Sequence, residues 1–243
     1  MDKNEYDLTK FQKSIEEFGI KLNADQIDRF IRYYEILVEW NSFMNLTAIT
    51  EFDEVCTKHF IDSISLFKVI DCTKNYSLID VGTGAGFPGI PLKIAFPGLN
   101  IVLLDSLGKR VKFLNEVIEK LQLKNIEAIH GRAEDYARPE LFREKFDICV
   151  SRAVANLSTL SEYCLPYVKV NGYFISYKSE KISEEMLTAK NAIEILGGKV
   201  YRQEEFILPG SDIYRNLFMI QKIKPTPKKY PRKAGLPSKE PLK

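Results

Sequence analysis

The stretch Tyr76-Ser-Leu-Ile-Asp-Val-Gly-Thr-Gly-Ala-Gly-Phe-Pro-Gly89 decides how this chain is read. Leu78, Ile79 and Val81 make an apolar strand that carries Asp80 and runs into Gly82, Gly84 and Gly86, after which Pro88 opens a helical segment. A strand, a glycine turn and a helix N-terminus in that order form a nucleotide-binding unit. Glycine permits left-handed backbone angles and lets a ligand approach bare main chain. A dinucleotide fingerprint, G-x-G-x-x-G, needs glycine at position 87, where this chain has Phe87. The spacing G-x-G-x-G behind an acidic strand residue suits a cofactor with adenosine but no pyrophosphate, and S-adenosylmethionine meets that description. A ligand-free glycine turn is the bland alternative, and four glycines within residues 82–89 argue against it.

Outward from this block the rhythm is strand, helix, strand. Strands are expected over residues 77–81, 101–105, 126–130, 146–151, 173–178, 200–208 and 217–222, with helices over 109–121, 158–168 and 183–196. Pro209-Gly-Ser-Asp212 joins the last two strands without a helix, so these should be antiparallel neighbours. The expected fold is α/β: a doubly wound, seven-stranded, mostly parallel sheet with one antiparallel strand. Residues 1–72 read as an N-terminal helical cap. Asn23 and Gln26 have capping-box spacing, and Ile27, Phe30, Ile31, Tyr34, Leu37 and Val38 recur at helical intervals. A second cap helix over 53–70 brings His59, Asp62 and Ser63 within one turn, and a polar loop over 41–50 separates the two. Residues 73–224 form the nucleotide-binding domain and residues 225–243 a basic, Pro-rich tail.

The 243 residues suffice for one such domain with an appendage. An apolar fraction of 45% and a charged fraction of 28% are those of a globular protein, and no apolar run approaches a membrane span. Cys56, Cys72, Cys149 and Cys164 lack paired spacing, and with only His59 and His130 beside them they offer no zinc site. Reduced thiols and a cytoplasmic location follow as the expectation, with neither metal nor membrane as partner. The net charge of +2 hides an asymmetry. Residues 222–243 carry eight basic side chains against Glu240, a local +7 that leaves −5 on the rest. Such a strip suggests a polyanion, most simply nucleic acid; a disordered solubilising tail is the competing reading.

In a sheet of this type ligands sit beyond the carboxyl ends of the strands, so strand-end residues are the candidates. Asp80 and the glycines Gly82, Gly84 and Gly86 belong to the first end. Asp105 ends the second strand, where position and spacing favour a carboxylate accepting both hydroxyls of a ribose over the alternative of capping the helix that follows. Gly131-Arg-Ala-Glu134 follows the third strand and faces an adenine edge. Ser151-Arg-Ala-Val154 ends the fourth and lacks the Asn/Asp-Pro-Pro-aromatic signature of exocyclic-amine methylation. Cys149 lies within the strand, which reads as a buried small hydrophobe and not as a pyrimidine-attacking nucleophile. A nucleophile that needs no activation, such as guanine N7, remains. Lys109, Arg110 and Lys112 form either a basic rim or an ordinary solvated helix face.

These blocks, together with Asn45-Leu-Thr-Ala-Ile49, His59 with Asp62-Ser63, Leu104-Asp-Ser-Leu107, and above all Tyr230-Pro-Arg-Lys-Ala-Gly-Leu-Pro237, resemble the RsmG (GidB) family from about residue 20 onward. That resemblance implies a Rossmann-like, class I S-adenosylmethionine-dependent methyltransferase. It would act on N7 of a guanine, position 527, in 16S ribosomal RNA, as naked RNA or within the small ribosomal subunit. It further implies cofactor contacts at Gly82, Phe87, Ala133, Glu134 and Arg152. Methylating N7 releases no proton from the base, so no catalytic acid or base is expected, and Arg152 is the positioning candidate. Lys228, Lys229, Arg232 and Lys233 are expected to grip RNA phosphates, with Tyr230 stacking on a base. His59 and Asp62 are read first as a bond between cap and sheet, then as part of an RNA pocket. A monomer is expected. A small-molecule methyltransferase, or an RNA-binding protein with a structural cofactor, are the rival readings.

Overall fold

A computed structural model of the chain describes residues 6–152, 155–179 and 182–242. Ala153 and Val154 of the fourth strand-end block, and Lys243 of the basic tail, lie outside the described residues. The chain begins with α1 (Thr9–Glu16) and α2 (Ala24–Met44). The expected capping box is formed: Asn23 accepts the Gln26 N–H at 2.9 Å and Gln26 accepts the Asn23 N–H at 2.9 Å. Asn45, with φ 49°, closes α2. The second cap helix is not uniform. It runs through α3 (Phe52–Val55), a π-helical turn (Cys56–Ile61), α4 (Asp62–Ile64) and a 3₁₀ turn (Ser65–Lys68). His59 sits in the π turn, a device that commonly re-aims side chains at functional sites.

The rest is β1 (Ser77–Val81), α5 (Gly89–Ala95), β2 (Asn100–Asp105), α6 (Gly108–Lys120), β3 (Ile126–His130), α7 (Ala133–Tyr136), β4 (Phe146–Ser151), α8 (Leu157–Cys164), β5 (Val168–Lys178), α9 (Ser183–Ile195), β6 (Gly198–Ile207), β7 (Tyr214–Lys222) and α10 (Leu236–Lys239). The strands form a seven-stranded sheet in the order β3-β2-β1-β4-β5-β7-β6. Among them β7 alone runs opposite to the common direction of the other six, as expected. The helix expected over 158–168 stops early: a 3₁₀ turn (Leu165–Tyr167) replaces its end, because Pro166 lacks the N–H that an α-helical bond requires. β5 consequently starts five residues sooner than the alternation suggested.

Side-chain parity sorts the sheet into two layers. Leu78, Ile101, Leu103, Ile148, Val150, Ile175, Leu217 and Met219 pack with the cap, α5 and α6. Ile79, Val81, Val102, Leu104, Cys149, Phe174, Phe218 and Ile220 pack beneath α8 and α9. Cys56, Cys72, Cys149 and Cys164 are all buried free thiols. No helix among the described residues is long and apolar enough to cross a membrane.

The tail is not a loose arm. Tyr230 is buried in the α8-side core, which removes it as a stacking platform for bases. Lys222, counted with the basic strip, lies inside the fold, where Nζ donates to Leu165 O at 2.6 Å and Val168 O at 3.1 Å and pairs with Glu144. Burial pulls its pKa down to about 8. Lys224, Lys228, Lys229, Lys233 and Lys239 remain exposed.

Candidate functional site

Strand order reverses between β1 and β4, and the glycine loop lies at that switch point. Gly82, Gly84 and Gly86 have φ of 73°, 63° and 95°, which L side chains rarely adopt. Three contacts preset the loop. Asp80 Oδ2 accepts the Thr83 hydroxyl at 2.6 Å and the Gly89 N–H at 2.9 Å, tying the loop to the start of α5. Asp105 Oδ2 accepts the Gly84 N–H at 2.9 Å. From the cap, the Tyr33 hydroxyl donates to Ala85 O. A Cβ on Gly86 would collide with Ile90 and the Tyr33 hydroxyl, so the cap and the loop fit only through bare backbone.

The same parity that divides the core divides the candidate residues. Asp80, Asp105 and Arg152 follow the cap-facing positions of β1, β2 and β4, whereas Val81, Ser106 and Ser151 follow the opposite set. A cleft of about 180 Å³ lies on that opposite side, lined by Val81, Gly82, Leu104, Ser106, residues 131–134, Ser151, Ala155, Leu160 and Tyr163. Its apolar walls and polar rim suit a flat base carrying a sugar. Gly131 brings the main chain close there, since a Cβ would strike the Tyr136 ring. Gly82, Ala133 and Glu134 therefore stand where a nucleoside-bearing cofactor would be held.

Asp105 is engaged within the protein. It is 3% exposed, and besides Gly84 it accepts the Leu107 N–H at 2.9 Å and pairs with Arg110 at 3.4 Å. Asp105 thus ties the glycine loop to the approach to α6, and Arg110 is engaged inward while Lys109 stays exposed. Asp80 is fully buried, with Oδ1 lacking a partner among the described residues. Burial raises its pKa to about 7 against the opposing hydrogen bonds from Thr83 and Gly89.

Arg152 turns to the cap. It donates to Asp62 Oδ2 at 3.0 Å, to Lys58 O at 3.2 Å and to His59 Nδ1 at 3.1 Å, and lies 4.9 Å above the Phe87 ring. Arg215 from β7 takes the other Asp62 oxygen at 2.8 Å. Phe87 is buried, stacks on His59 at 4.4 Å and packs against Tyr33 and Phe60, so its side chain anchors the cap. His59 Nδ1 faces both the Arg152 guanidinium at 3.1 Å and the Lys58 carbonyl at 3.2 Å, and Nε2 lies 3.0 Å from Thr47 Oγ1. Burial, with Arg152 beside it, drives the His59 pKa down to about 3. The imidazole is neutral, and both of its nitrogens are engaged within the protein, linking cap and sheet. Arg215 escaped the sequence reading, because the strand expected over 217–222 begins at Tyr214 and takes Arg215 in.

Beyond this network opens a second cavity of about 970 Å³, lined by Ile49, Lys58, His59, Asp62, Arg152, Tyr177, Lys178, Arg215 and others. Ala155 lines both cavities, so the smaller cleft and the larger cavity lie side by side just after β4.

This sheet order, with a glycine loop at the switch point, is the fold of S-adenosylmethionine-dependent methyltransferases. A solved methyltransferase of that kind from Aquifex aeolicus superposes with TM-score 0.52 at 19% identity, covering 71% of this chain and 94% of its own. Residues 26–213 match the family model described as rRNA small subunit methyltransferase G. The protein called ribosomal RNA small subunit methyltransferase G from Lachnoclostridium phytofermentans is 57% identical across 97% of this chain and 98% of its own length. Its namesake from Acetivibrio thermocellus is 56% identical over the full length of both. The chain belongs to the rRNA small subunit methyltransferase G (GidB) family.

Proposed function

We propose that the protein transfers a methyl group from S-adenosylmethionine to N7 of a guanine in 16S ribosomal RNA, position 527 by family resemblance. The observation that carries this reading is the adjacency of the two cavities, which share Ala155 as a lining residue. A cofactor held in the smaller one presents its far end to an acceptor in the larger. When bound, the cofactor supplies an electrophilic methyl group on sulfonium sulfur. The chain supplies position. Asp80, Asp105 and Tyr33 hold the glycine loop from three sides, so the loop is ordered in advance of binding. The Asp62–Arg152–Arg215 triad and His59, on which Phe87 stacks, fix one wall of the larger cavity. Guanine N7 carries an in-plane lone pair and loses no proton on methylation, so this reading assigns no side chain the role of general base. Exposed Lys109, Lys228, Lys229 and Lys233 are the candidates for phosphate contact.

The test is to incubate the protein with methyl-labelled cofactor and unmethylated 16S RNA, as naked transcript and as small subunits, and map label by alkali-induced cleavage. Cleavage at one guanine supports the reading. Cofactor binding without labelling of either substrate sinks it.

A further inference from the structure

The C-terminal segment meets both walls of the smaller cleft. On one wall, the turn after β3, Glu134 Oε1 accepts the Gly235 N–H at 2.7 Å. On the other, α8, Glu162 receives Arg232 through its main-chain N–H at 2.9 Å, Nε at 2.9 Å and a terminal nitrogen at 2.7 Å. Two further bonds run from α8 to the tail: Thr159 Oγ1 donates to Pro237 O at 3.1 Å, and the Ser158 hydroxyl donates to Leu242 O. Arg143, after α7, donates to Tyr230 O at 2.7 Å and Thr226 O at 2.6 Å. Glu134 is 3% exposed and Glu162 fully buried. Leu160 and Tyr163, which line the cleft, sit on the same helix as Glu162.

We propose that residues 226–242 form a clasp that completes the S-adenosylmethionine cleft, with Arg232 and Gly235 as positioning residues that hold α8 and the turn after β3 at the separation the cofactor requires. This rests on the cofactor reading above. A buried carboxylate stripped of its partner must turn toward water or take up a proton, and either change moves its helix or turn. For Glu162 that motion carries Leu160 and Tyr163; for Glu134 it disturbs the cleft wall itself. Arg232 spends its donors inward on Glu162 and on Glu240 O, so it contributes little to phosphate binding. The tail's outer face keeps Lys228, Lys229 and Lys233 for that purpose. The clasp and the RNA contact are therefore separable by substitution.

The experiment measures two affinities on the full-length protein in parallel: S-adenosylhomocysteine by calorimetry, and a labelled 16S RNA transcript by filter binding. Arg232→Ala should weaken S-adenosylhomocysteine by about tenfold, the loss of a charge-assisted contact, and leave RNA affinity nearly unchanged. Arg232→Lys should restore part of the loss. Joint replacement of Lys228, Lys229 and Lys233 by Ala should do the reverse, weakening RNA and sparing S-adenosylhomocysteine. Thermal melts check that each variant folds. If Arg232→Ala does not fold, the pair Glu162→Gln with Arg232→Gln removes both buried charges together and should show the same weakened S-adenosylhomocysteine binding. A folded Arg232 variant that binds S-adenosylhomocysteine like the wild type, or loses RNA instead, overturns the clasp. Wild-type protein that fails to bind S-adenosylhomocysteine overturns the cofactor reading, and the clasp with it.

Discussion

The N-terminal cap and the C-terminal tail dock on the same end of the sheet from opposite faces, and they are held in opposite ways. The cap is packed first and charged second. Phe11, Phe30, Tyr33, Phe60 and Phe87 form a continuous aromatic cluster, and one buried triad of Asp62, Arg152 and Arg215 is set into its rim. The tail buries Tyr230 and Pro237 but is otherwise tied by hydrogen bonds to two buried carboxylates, Glu134 and Glu162. Hydrophobic contact is non-directional and survives small shifts, whereas a carboxylate bond is lost with an ångström of movement. The cap is thus held mainly by packing and the tail mainly by directional bonds.

The largest expected effect lies in the cap. Asp62→Ala leaves two guanidinium groups, both less than a fifth exposed, without their carboxylate, and should cost about 3–5 kcal/mol in urea unfolding. A cost below about 1 kcal/mol would mean that water already screens the triad and that packing alone holds the cap.

Next come two opposed pH dependences at the loop. Asp80 has a folded pKa of about 7, above its unfolded value, so its contribution is fully present below the unfolded pKa and is lost as pH rises toward 7. His59 has a folded pKa of about 3, below its unfolded value, so in acid the unfolded chain binds the extra proton and stability falls as pH drops from the ordinary histidine range toward 3. Between roughly pH 4 and 6.5 the slopes oppose each other, each at most about 1.4 kcal/mol per pH unit. Asp80→Asn should unmask a stability that rises with pH in that window, and His59→Gln one that falls, read from chemical unfolding at several pH values. Identical profiles for wild type and both variants would show that neither group titrates where burial places it.

Tyr33→Phe removes the hydroxyl that reaches Ala85 O across the cap boundary and should cost about 1–2 kcal/mol, seen as a lower melting temperature. The smallest effect is expected on the tail's outer face. Lys233→Ala should change stability by less than about 0.5 kcal/mol, since its side chain is exposed. A larger loss would show that the outer face also helps to hold the tail down.

Much of the fold was legible because it is written in local periodicity. β1, β3 and β4 begin and end where the apolar runs do, the Asn23–Gln26 box forms as spaced, and the β6–β7 pair is antiparallel because no helix separates its strands. The site was legible in part. Gly82, Ala133 and Glu134 do line the cleft, since the loop and the turn after β3 lie beyond strand ends that the pattern locates. Asp105 and Arg152 sat at the right strand ends, but a strand end has two sides. A one-residue difference in parity decides whether a side chain meets the cleft or the cap.

The tail shows the same limit more sharply. Its charge and proline content matched both an RNA-binding arm and a disordered extension, and neither property records that Glu162, seventy residues earlier, has no partner until Arg232 arrives. The sequence by itself determined the order of strands and helices, the glycine loop and the kind of ligand such a loop admits, because each depends on neighbours a few residues apart. Only the tertiary structure decided which charges face ligand and which face one another. That choice is set by the desolvation of groups brought together from distant parts of the chain, and a buried charge takes whichever partner the fold delivers to it.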